Sequence, residues 1–144
     1  MGTRYFALIA GIVYLLVGLL GFVPPLLSAY TGPDLAVDAF AGNLLGLFPI
    51  NVLHNLVHLA IGAWGIFSYR SFSGSVAFAR GLAIFYGLLT ILGLIPVDAI
   101  RTTFGLIPIH GADVILHALT ALAAAYFGFV GVERPEFVDA SRRR

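Results

Sequence analysis

Four apolar runs, parted by short polar connections, limit this chain more than any other feature. They extend from Phe6 to Val23, from about Val52 to Tyr69, from Gly81 to Val97 and from about Ala112 to Val132. Each approaches the ~20 residues that cross a hydrocarbon core about 30 Å thick. Lipid offers no partner to a free backbone amide, so runs of this kind are expected to be helices. The composition agrees: 60% of the 144 residues are hydrophobic and 10% are charged, too few charges to cover a soluble domain of this size. The lipid bilayer is therefore the first expected partner. The first run is read as an uncleaved helix, because it is longer than a signal-peptide core and no small-x-small cleavage site follows it. "MGTRYF" fails the myristoylation pattern at its sixth residue.

Several classes of function are excluded at once. A net charge of +1 provides no basic stripe for nucleic acid. The absence of cysteine removes disulfides, thiolate metal sites, cysteine nucleophiles and palmitoylation. One methionine cannot form a methionine-rich copper path.

The arginines set an expected orientation. There is no lysine, and seven of the eight arginines (Arg4, Arg70, Arg80, Arg134 and Arg142 to Arg144) flank one set of helix ends. The connections at the other ends carry Asp34, Asp38 and Asp98 against Arg101 alone. The positive-inside rule places both termini in the cytoplasm of a cell whose inner membrane the protein spans. Residues 1–132 are read as the transmembrane domain and 133–144 as a polar cytoplasmic tail whose arginines can meet anionic headgroups.

The two halves resemble each other. "GLFPINVLHNLVHLAIG" (Gly46 to Gly62) aligns without gaps with "GLIPIHGADVILHALTA" (Gly105 to Ala121), placing His58 on His117 and His54 on Asp113. Upstream, "YLLVGLLGFVP" aligns with "YGLLTILGLIP", placing Tyr14 on Tyr86. Repeats at about 4–69 and 76–132, with two helices each, share one orientation in the membrane. The expected fold class is all-α, an integral membrane four-helix bundle built from two parallel-repeated helical hairpins. Small residues at Gly11, Gly18, Gly21, Gly62, Gly65 and in "ALAAAYFG" are expected at close helix contacts. Residues 30–48 form the longest connection, with a re-entrant segment as one option.

The stretches "RYFALIAGIVYLLVGLLGF", "LLGLFPINVLHNLVHLAIGAWG" and "GLIPIHGADVILHALTALAAAYFGF" resemble a bacterial four-helix membrane family known only as domain of unknown function 4383, over nearly the whole chain. The H-N-x-x-H helix is the most distinctive part. The resemblance implies four helices and brings no catalytic residues, since that family carries no established activity.

The chemistry lies with four histidines. His58 comes nine residues after Pro49, about 13 Å along a helix, and Tyr14, ten residues before Pro24 on a helix running the other way, has a similar depth. His117 and Tyr86 repeat the arithmetic from Pro108 and Pro96. Asn51, His54, Asn55 and His58 fall within about 100° of one helix side, as do His110, Asp113, His117 and Thr120 on another. Polar stripes of this kind should face the protein interior, converging near the outer face.

Four readings remain open. One is a structural network, in which Asn51 and Asp113 cap helices and the histidines lock packing. The chain is then a cofactor-free accessory or scaffold subunit, in a homo-oligomer or a larger membrane complex. Another is b-type haem held by His58 and His117. A third is a metal ion at His54, His58, His117 and Asp113, with His110 as a further candidate and Tyr14 and Tyr86 as supporting hydrogen-bond partners. The last is a proton or ion path, which the apolar inner halves of the helices do little to complete. HNxxH lacks the glutamate of a zinc hydrolase, and no nucleophile with its base can be assembled, so an enzyme ranks behind these.

Overall fold

The computed structural model describes residues 2–132, so the tail expected at 133–144 lies outside the described residues. The described residues form five α-helices: α1 (Gly2–Leu20), α2 (Val52–Ser68), α3 (Phe72–Leu94), the one-turn α4 (Asp98–Arg101) and α5 (Ala112–Ala125). A π-turn, Tyr126–Val130, extends α5. Helices α1, α3 and α5 with its extension are long and apolar enough to cross a membrane. The 17-residue α2 spans about 26 Å at 1.5 Å per residue. The chain is a multi-pass membrane protein.

Helix α3 begins nine residues before the apolar run that marks it in sequence. Ser71 caps it by accepting from the Gly74 amide, and Ser75 returns its hydroxyl to the Ser68 and Ser71 carbonyls. The polar stretch "SFSGSVAFA" is therefore mostly helix. Ser71 looks like a loop residue by composition but serves as the cap, and Ser75 ties the new helix back to the end of α2.

Two pairings dominate: α1 lies along α2, and α3 along α5. The first is a backbone contact. A Cβ on Gly11 would sit 2.7 Å from Ile66 N, and one on Gly65 would sit 2.8 Å from Ala7 O. Only hydrogen fits there, so the expected role of these small residues holds. The buried core between the pairs contains Ala7, Ile61, Phe78, Leu82, Tyr86 and Ala124.

At one end of the molecule, arginines close the helix C-termini. Arg4 Nε donates to Tyr69 O (2.9 Å), and Arg80 Nε donates to Gly128 O (2.8 Å). Cations at helix C-termini oppose the partial negative charge there.

At the opposite end the first connection departs from an all-helical chain. It holds a three-stranded antiparallel sheet in the order β1 (Leu27–Ser28), β2 (Gly42–Leu44), β3 (Phe48–Ile50), with Leu27 opposite Leu44 and Asn43 opposite Pro49. Strands this short give little sequence signal. The β2–β3 turn takes positive φ at Leu45 (54°) and Gly46 (75°), and the second connection does the same at Phe104 (59°) and Gly105 (82°). No sheet forms in the second connection; Thr102 Oγ1 accepts there from Gly105 N, and Thr103 Oγ1 from Ile107 N. The two connections are joined where Ala36 N donates to Gly105 O (2.8 Å).

Candidate metal centre

The polar stripes of α2 and α5 both turn inward. Asn51, Asn55, His54, His58, Asp113 and His117 are all at most 5% exposed. Asn51 precedes α2 and accepts from His54 N (3.0 Å), the capping role expected of it. Its amide nitrogen also donates to Val37 O (2.8 Å) and Leu106 O (2.6 Å), tying both connections to the start of α2. Asp113 does not cap α5. Gly111 holds the cap position at φ 67°, and Asp113 lies in the first turn with its carboxylate turned toward His54 and His117. That position still lets the N-terminal end of the helix dipole favour a negative charge.

One ligand atom from each of His54, Asp113 and His117 lies within 4.8 Å of the others. His54 Nε2 is 3.8 Å, and His117 Nε2 3.4 Å, from Asp113 Oδ2. These spacings are too wide for well-formed hydrogen bonds. They are close to the ~3.3 Å edges of a tetrahedron of ligand atoms about 2.0–2.1 Å from a central zinc. His54 is also set in a ligating tautomer. Its Nδ1 faces Pro49 O at 3.2 Å and donates to it, which leaves the Nε2 lone pair facing Asp113.

Among the described residues, Asp113 Oδ2, both ring nitrogens of His117, His58 Nδ1 and both amide atoms of Asn55 find no hydrogen-bond partner. Buried polar atoms are rarely left this way, and a carboxylate least of all. Asp113 Oδ2 and the His117 ring nitrogens among them lie together at the trio.

The remaining sequence candidates sit around this trio. His58 packs against His54, ring centroids 4.5 Å apart and tilted by 43°, and is not among the three converging ligands. Tyr14 packs against His58 at 5.3 Å and Tyr86 against His117 at 4.9 Å, at the shared depths that residue counting indicated. These are ring contacts, and the Tyr14 hydroxyl donates to Thr120 Oγ1 (3.4 Å). Asn55 fills the space over Gly21, where a Cβ would collide with its amide. His110 stands apart, bonded through Nε2 to the Tyr30 hydroxyl at 3.0 Å. Partial burial, with Arg101 nearby, holds His110 below the usual histidine range, and burial raises Tyr30.

Two cavities flank the cluster. One of about 230 Å³ is lined by His54, His58, Tyr86 and His117 together with Val57, Leu89 and Leu106. The other, about 320 Å³, lies between α1 and α5 over Tyr14, His58, Tyr86, His117 and Thr120. His58 and His117 thus face common space on both sides. Sequence reasoning did not single out Pro49 as the partner that orients His54, nor the Arg4 and Arg80 caps. Pro49 carried a hint, five residues before a histidine at a helix start.

No curated protein and no solved structure matches the chain. The model of the family described as domain of unknown function (DUF4383) matches residues 4–130, and the chain belongs to that family.

Proposed function

We propose that this protein is a small, non-catalytic metal-binding protein of the bacterial inner membrane, holding one divalent transition metal ion at His54, Asp113 and His117. The observation that carries the reading is the trio itself. Three buried ligand atoms from two helices converge at spacings that suit a shared ion better than mutual hydrogen bonds. Two imidazoles and a carboxylate suit zinc, or iron or manganese.

The same geometry weighs against haem. A macrocycle between His58 and His117 would displace the Tyr14 and Tyr86 rings packed against them, whereas a bare ion needs only small side-chain rotations. In this reading the fold is a four-helix bundle descended from a duplicated hairpin. The matched left-handed turns at Leu45–Gly46 and Phe104–Gly105 and the α1–α2 and α3–α5 pairings support that descent. Arg4 and Arg80 lie with the ends of α2 and α5 at one face of the molecule, which supports a cytoplasmic face there and a metal site in the outer half.

The rival is a cofactor-free scaffold subunit. The Asn51 bonds to both connections and the Tyr14–Thr120 contact favour it, because both hold helices together without a ligand. Metal analysis and an ultraviolet–visible spectrum on protein purified in mild detergent separate the two. Near-stoichiometric metal, lost in His54→Ala and His117→Ala, supports the metal reading. Metal-free protein from cells grown with zinc, iron and manganese supplied would overturn it, and a Soret band would replace it with haem.

A further inference from the structure

Three protein ligands leave a tetrahedral metal one open position, as in sites where the metal meets an exchangeable ligand. Here the 230 Å³ cavity lies against two of the three ligands, His54 and His117, while Asp113 is not part of its wall. Its other walls are mostly apolar, with Val57, Phe85, Leu89, Leu106 and Ile107. Two of its apolar wall residues, Phe85 on α3 and Leu106 in the second connection, are also exposed on the outside of the protein, at 41% and 48%. One polar side chain borders this space without belonging to the trio: His58, 5% exposed. The aligned positions of the two halves contribute unequally. His54, Asp113 and His117 converge, and His58 is left over beside them.

We propose, building on the metal reading above, that the cavity is a ligand site: a small, uncharged, membrane-soluble molecule enters from the bilayer, places one lone-pair atom on the metal and hydrogen-bonds His58. Size limits the ligand to a single ring or a short chain, since an apolar cavity of about 150 Å³ already accepts benzene. The apolar walls select against ions, which lose their hydration on entry. The metal supplies the one strong contact, and His58 discriminates among neutral ligands by whether they carry a second hydrogen-bonding atom.

Imidazole and 1-methylimidazole test this on the full-length protein in lipid nanodiscs, loaded with Co(II) and freed of excess metal. Both have a ligating nitrogen, but only imidazole has an N–H to give His58. Imidazole should shift the Co(II) visible bands saturably, one per metal, and bind about tenfold tighter than 1-methylimidazole, the effect of one hydrogen bond of about 1.4 kcal/mol. His58→Leu should erase that preference while keeping the Co(II) bands, and Val57→Phe, which fills the cavity, should weaken both ligands at least tenfold. Co(II) bands that ignore both ligands overturn the cavity site and leave the metal reading standing. So does a shift that neither variant alters. Absence of Co(II) bands in the wild type overturns the metal reading, and this inference with it.

Discussion

Replacing Asp113 by asparagine separates a metal centre from a packing network, because the two assign the carboxylate opposite effects on the empty protein. The change keeps shape and removes charge. In a metal centre without its ion, Asp113 is a buried carboxylate whose Oδ2 has no hydrogen bond and whose nearest histidine nitrogens are 3.4 and 3.8 Å away. Asp113→Asn should then leave metal-free stability within about 1 kcal/mol of wild type, or raise it, since an unpaired buried charge is costly. Metal tells the other half. At zinc one hundred times the wild-type Kd, binding adds about 2.7 kcal/mol to the wild type; a variant bound 100-fold more weakly gains about 0.4 kcal/mol. Unfolding followed by circular dichroism in mild detergent, with chelator and then with buffered zinc, measures both. In a network where Asp113 pairs with a charged histidine, the substitution instead costs about 3–5 kcal/mol with chelator present, and zinc does nothing. That result would refute the metal centre.

Other expectations follow from the same contacts. Gly65→Ala places a Cβ 2.8 Å from Ala7 O, and should lower stability in detergent by about 1–3 kcal/mol. Gly87→Ala, in open space on α3, is its control and should be neutral or gain about 0.5–1 kcal/mol. Asn51→Ala loses the α2 cap and the bonds to Val37 and Leu106, about 3 kcal/mol together, and should speed hydrogen exchange in the first turn of α2. His110 has a folded pKa below its ordinary 6.5, so the unfolded chain binds its proton first. Its stabilising share is complete above pH 6.5 and is lost as pH falls below that toward the folded value; an NMR titration should place the folded midpoint below 6.5, and one above it contradicts the burial argument. Since the chain has no cysteine, introduced ones report topology cleanly. A membrane-impermeant maleimide should label Asp34→Cys on intact spheroplasts and Ser73→Cys only after permeabilisation; the reverse pattern inverts the orientation.

Much of this architecture is visible in the residues alone. Hydropathy locates the helices because lipid requires long apolar runs and helical hydrogen bonding, whatever the tertiary arrangement. Residue counting from the prolines puts Tyr14 level with His58, and Tyr86 with His117, because helical rise is constant at about 1.5 Å. The inward turn of the two stripes follows from the cost of polar groups in lipid.

Which polar groups meet is a different matter. His54 and His58 are equivalent by periodicity, yet His54 joins Asp113 and His117 while His58 packs beside them. That choice depends on the rotation of α2 about its axis, which the backbone contacts of Gly11 and Gly65 with α1 and the bond from His54 to Pro49 O set together. The sheet of β1 to β3 depends likewise on long-range pairing, with Leu27 meeting Leu44 across an intervening loop that no local pattern marks. Depth along a helix and the identity of its polar face are properties of the sequence by itself. Convergence of three side chains from two helices is set by rotation and packing, and only the tertiary structure decides it.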